Sequence, residues 1–79
     1  MAARKPSRAA NGARFAGNLR KLREAAGLTQ QGLADLAEGL HRTEVSLLER
    51  GGREPRLWTL VLLARALGVS VARLLRGVE

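Results

Sequence analysis

Four neighbouring side chains, Arg42, Thr43, Ser46 and Leu47, carry groups suited to the edges of base pairs. A guanidinium can give two parallel hydrogen bonds to guanine O6 and N7, worth about 1–3 kcal/mol of discrimination. Threonine offers a methyl and a hydroxyl, and a leucine can pack on a thymine methyl. At about 100° per residue, Thr43 and Leu47 share one side of a helix over residues 42–50, flanked by Arg42 and Ser46. Val45 and Leu48 fall on roughly the opposite side and are expected to pack inward. Plainer readings stay open: a phosphate contact or solvation for Arg42, an exposed turn position for Thr43, a partner or plain exposure for Leu47. His41 is the single histidine, with no nucleophile, acid or second histidine patterned beside it. It reads as an N-cap or phosphate ligand rather than a catalytic base.

The elements that must hold these residues are short. Thr29 is placed to cap a second helix, although Gly32 stands where a capping box would have an acid. Leu33, Leu36, Ala37 and Leu40 supply the inner side of that helix, and Gly39 turns the chain into the next. Two helices joined by a tight turn are the layout that carries the second into a DNA major groove. Upstream, Phe15, Leu19, Leu22 and Ala26 make one stripe of a helix over residues 13–26, with Gly27 at its C-terminal turn. Downstream, Leu57, Leu60, Val61, Ala64 and Leu67 predict the core stripe of a helix over 57–67, ended by Gly68. Ser70 caps a short fifth helix with Val71, Leu74 and Leu75. The expectation is an all-α domain over residues 13–79, preceded by a disordered basic arm over residues 1–12.

The chain has 79 residues, no cysteine and a formal net charge of +7, which excludes disulfides and a His/Cys metal cluster. No metal or cofactor is expected, and no apolar run is long enough to span a membrane. Residues 1–23 hold Arg4, Lys5, Arg8, Arg14, Arg20, Lys21 and Arg23 without an acid, whereas from Glu24 onward arginines and acids balance. The excess attracts polyanions, DNA above all, with an affinity that falls as salt rises. The arm residues Arg4, Lys5 and Arg8 can follow phosphates, enter a minor groove, or add only a non-specific pull. No paired carboxylates, Ser/His/Asp set or phosphate-cradling glycine loop is patterned, so no enzyme is expected.

The landmarks LTQ (28–30), LA (33–34), GLHRT (39–43), VS (45–46), LERG (48–51), Pro55 and LARALGVS (63–70) occur in order. Together they resemble the Cro/C1-type (XRE-type) helix-turn-helix family, over about residues 14–76. The LHRT turn and the short length also resemble restriction-modification controller proteins. The resemblance implies a compact five-helix, lambda-repressor-like DNA-binding domain. It implies base reading by His41, Arg42 and Thr43, with Glu44, Ser46 and Leu47 on bases or the groove wall. It places Thr29, Gln30, Arg53 and Arg56 on phosphates, and pairs Arg23 with Glu49 in a buried salt bridge. Glu38 is an added residue before the turn glycine. Continuing the helix would rotate the residues after Glu38 by about 100°; a longer turn would keep Val45 and Leu48 in the core, and is favoured.

Trp58 and Leu62 sit four apart, away from the expected core stripe of their helix, and are the candidate dimer interface, with Val71, Leu75 and Val78 as contributors. The combined expectation is a cytoplasmic, nucleoid-associated regulator of double-stranded DNA, a homodimer on a palindromic operator. The alternative is an antitoxin-like or accessory interaction module whose Trp58/Leu62 face takes a protein partner.

Overall fold

The computed structural model describes residues 5–79 and runs through five α-helices. These are α1 (Arg8–Ala25), α2 (Gln30–Leu36), α3 (Arg42–Glu49), α4 (Leu57–Leu67) and α5 (Val71–Leu74). Among the described residues there is no strand.

The first helix begins at Arg8, so residues 8–12 are helical rather than part of a disordered arm. Ser7 caps it, its Oγ accepting from the Ala10 N–H at 3.1 Å. Asn11, placed in the arm by the sequence reading, is held from the far end of the chain. Its Nδ2 donates to the Glu79 carbonyl at 2.7 Å and its Oδ1 accepts from the Glu79 N–H at 2.9 Å. Asn18, two turns on, donates to the carbonyls of Leu74 and Arg76 at 2.8 and 2.9 Å. One side of α1 thus binds the C-terminal segment. Of the arm residues, Arg4 lies outside the described residues, Lys5 precedes the helix, and Arg8 makes an exposed ion pair with Glu54 at 3.1 Å.

Gly27, at φ 72°, ends α1 with paired bonds, Gly27 N–H to Glu24 carbonyl and Leu28 N–H to Arg23 carbonyl. The core gathers Phe15 and Leu19 of α1, Leu33 of α2, Val45 and Leu48 of α3, Leu60 and Leu63 of α4 and Leu74 of α5. Ala26 is exposed, so the α1 stripe stops a turn short of expectation.

Two further assignments of inward residues need correction. Leu36 is 57% exposed, because the inward side of α2 is Leu33, Ala34 and Ala37. Leu57 is 76% exposed, and the buried side of α4 is Thr59, Leu60, Leu63 and Ala64. The sequence of α4 is apolar almost all round, so more than one stripe satisfies its periodicity; packing against α5 and α2 selects the one used.

Candidate nucleic-acid interface

The turn before α3 sets its direction. After α2 ends at Leu36, Ala37 to Leu40 form a β-turn closed by the Leu40 N–H on the Ala37 carbonyl at 3.0 Å. Gly39 occupies its third position at φ 88°, the backbone that a type II turn demands and a β-carbon resists. Glu38 is exposed within this turn, so the added residue lengthens the connection and does not continue α2.

His41 comes next, as the N-cap residue of α3. Its backbone carbonyl accepts from Glu44 and Val45, but its imidazole makes no capping bond and is exposed. Val45 and Leu48 are wholly buried, which pins the rotation of α3 about its axis. Arg42 and Thr43 are then exposed, and Ser46 and Leu47 half-buried, along the open side of the helix. Arg50, the C-cap residue, is also exposed and continues the Thr43–Leu47 stripe by one turn. Sequence reading passed over Arg50; carrying the same angular placement past Glu49 would have found it.

Glu44 lies apart from that stripe. It is half-buried and lines a groove with Glu38, Leu40, Arg53, Arg56 and Leu62. The exposed Arg53 and Arg56 belong to the connection between α3 and α4, where Arg56 is the N-cap residue of α4. The open side of α3 and this connection therefore present four exposed arginines, Arg42, Arg50, Arg53 and Arg56.

At the start of α2, the Thr29 hydroxyl accepts from the Gly32 N–H at 2.9 Å. Glycine suits this position, since a β-carbon there would stand 3.2 Å from the Thr29 hydroxyl oxygen. Gln30 is half-buried and donates from Nε2 to Glu49 Oε1 at 3.2 Å. Arg23 meets Glu49 with two bonds, Nε to Oε2 at 2.6 Å and Nη2 to Oε1 at 3.1 Å. Their side chains are 12% and 4% exposed. The hydrogen bond that Arg23 donates to Glu49 raises the Arg23 pKa above its ordinary value, against the opposing effect of burial.

Trp58 is 67% exposed, and Leu57 beside it is more so. Leu62 is half-buried and packs on the core, reaching the same groove as Trp58 by its edge. The open apolar surface of α4 is therefore Leu57 and Trp58, with Leu62 as its inner margin. Leu57 escaped notice because it fitted the core stripe. Val71 and Leu75 are half-buried against the core, and Val78 is 36% exposed. Among the described residues no group of three His, Asp or Glu side chains could hold a metal ion, and no helix is long and apolar enough to cross a membrane.

A family model described as helix-turn-helix matches residues 19–74. The chain is 45% identical over 61 residues to the control protein C.SmaI of Serratia marcescens, covering 77% of this chain and 71% of that one. Its fold matches the crystal structure of the restriction-modification controller protein C.AhdI from Aeromonas hydrophila with a TM-score of 0.79 at 42% identity, covering 82% of this chain and 97% of that one. The hypothetical transcription factor NHTF from Neisseria matches with a TM-score of 0.79 at 36% identity, covering 95% of this chain and 85% of that one.

Proposed function

The chain belongs to the helix-turn-helix family, as a DNA-binding transcriptional regulator of the Cro/C1 (XRE) type, and from that premise we propose that it binds a palindromic operator as a homodimer, with α3 in the major groove. The observation that carries this reading is the division of α3. Val45 and Leu48 are sealed in the core while Arg42, Thr43, Ser46 and Leu47 are left on the open side. A short helix held this way offers the groove a fixed row of donors and a methyl-packing surface.

Arg42 and Thr43 read bases, with Ser46 and Leu47 beside them. Arg50 extends their stripe toward the backbone. Thr29, Gln30, Arg53 and Arg56 set the register on phosphates, which supply most affinity and little sequence choice. Glu44 and His41 border this surface: Glu44 excludes wrong sequences more than it gains right ones, and His41 lies at the groove edge. Lys5 and Arg8 add a non-specific attraction. The operator is two-fold because Leu57 and Trp58 pair two copies. Likeness to two proteins named as controllers supports a controller role, exercised at the nucleoid in the cytoplasm. The relatives are regulators, and this chain is read as non-catalytic.

Selection from a randomised duplex library, with titration of the selected duplex at two salt concentrations, tests the reading. The expected result is a palindromic duplex bound about 10³-fold or more tighter than scrambled DNA. Binding without enrichment, collapsing as salt rises, overturns it. The exposure of Leu57 and Trp58 also favours a second reading, a protein partner on that face. A monomer in sedimentation that selects no duplex would point there.

A further inference from the structure

Glu49 is almost wholly buried and serves two donors at once. Its Oε1 accepts both Arg23 Nη2 at 3.1 Å and Gln30 Nε2 at 3.2 Å, while its Oε2 accepts Arg23 Nε at 2.6 Å. Arg23 spends Nη1 on the Leu28 carbonyl at 2.7 Å, just before the α2 cap. One hydrogen-bonded chain thus joins α1, the end of α3 and the first residue of α2. An ionised carboxylate only accepts. Gln30 must therefore turn its NH₂ toward Glu49, because the flipped amide would set its carbonyl oxygen against the carboxylate. Among the described residues, the second Gln30 N–H has no protein partner. Gln31, the adjacent glutamine, donates instead to Asp35 Oδ1 at 2.8 Å on the open surface, where nothing buried holds either group.

We propose that Glu49 is a positioning residue for DNA binding: it fixes the Gln30 amide so that its second N–H serves a backbone phosphate, and the two-point grip of Arg23 fixes Glu49. The proposal rests on the operator reading above. It gives a physical reason why Gln30, and not the adjacent Gln31, takes the phosphate. A pre-turned amide meets an anion without first choosing between its donor and acceptor ends, so the contact costs less ordering.

The test is a scan of neutral methylphosphonate replacements along the selected duplex, read by titration. Wild-type protein should lose about tenfold at one phosphate of each half-site. Gln30→Met should bind about tenfold more weakly and show no loss at that position. Arg23→Lys keeps the charge but gives up the two-point grip, and should flatten the same position while circular dichroism shows an intact fold. Gln31→Met should leave the profile unchanged. In the free wild-type protein, one Gln30 amide proton should exchange more slowly than either proton of Gln31. An unaltered scan for Gln30→Met, full sensitivity in folded Arg23→Lys, or Gln30 protons exchanging as fast as those of Gln31 overturns the proposal; the palindromic operator read by α3 still stands, and the first of these outcomes removes Gln30 from its phosphate contacts. If Arg23→Lys loses its fold, the exchange measurement decides alone. A wild-type protein that selects no duplex overturns both.

Discussion

Arg42 and Arg53 are both exposed arginines, but they should fail in different ways. On the open side of α3, Arg42→Ala should weaken binding to the selected duplex by about 1–3 kcal/mol and relax preference at one base pair, with scrambled DNA little affected. In the connection after α3, Arg53→Ala should weaken selected and scrambled DNA alike and lower the salt slope by about one unit. Paired titrations across a salt series separate the two; equal behaviour would remove the distinction between reading and gripping. Arg50 adjoins both surfaces, and the same series would assign it to one. At this scale the sequence was informative about type and poor about partners. The open-side placement of Arg42, Thr43 and Leu47 was legible because the core residues Val45 and Leu48, on the opposite side, set their angle. That Gln30 leans on Glu49 was not legible, since their contact crosses from α2 to α3 and no local pattern encodes it.

Among the elements, α3 and the turn before it govern the geometry. Gly39→Val would force a β-branched residue to φ 88°. A cost of about 1–3 kcal/mol is expected in urea unfolding, with a loss of duplex selectivity beyond what stability explains. An unchanged midpoint would show that the turn can change type. Leu48→Ala removes a wholly buried side chain from the core and should cost about 2–5 kcal/mol by the same measurement. How much of an element could be read depended on how uneven its sides are. In α3 polar and apolar positions separate cleanly, so its inner side could be named in advance. In α4, with Leu57, Leu60, Val61, Leu62, Leu63 and Leu67, apolarity marks nearly every side, and tertiary packing made the choice. The start of α1 was hidden for another reason: the groups that steady Asn11 belong to Glu79, 68 residues away.

At the scale of the whole molecule, function turns on how many copies act together. The Leu57→Ser/Trp58→Ser double variant replaces two exposed side chains and should leave unfolding nearly unchanged. In sedimentation it should run as a monomer where the parent runs as a dimer, and it should hold a single half-site no worse than the parent does. A variant that remains dimeric would move the interface elsewhere, with Val78 the next exposed apolar side chain to examine. The clasp between Asn11 and Glu79 bears on how the chain can be rewired. Lys5, Pro6, Ser7 and Glu79 line one shallow recess, so a few-residue linker from 79 back to the α1 cap would close the backbone into a ring. Opening that ring in the exposed stretch over residues 51–54 gives a circular permutant in which α3 becomes the last helix synthesised, although every helix keeps its neighbours. Chain order and spatial order would then be uncoupled, and a permutant that selects the parent duplex would locate the recognition surface in the packing rather than in the path of the chain.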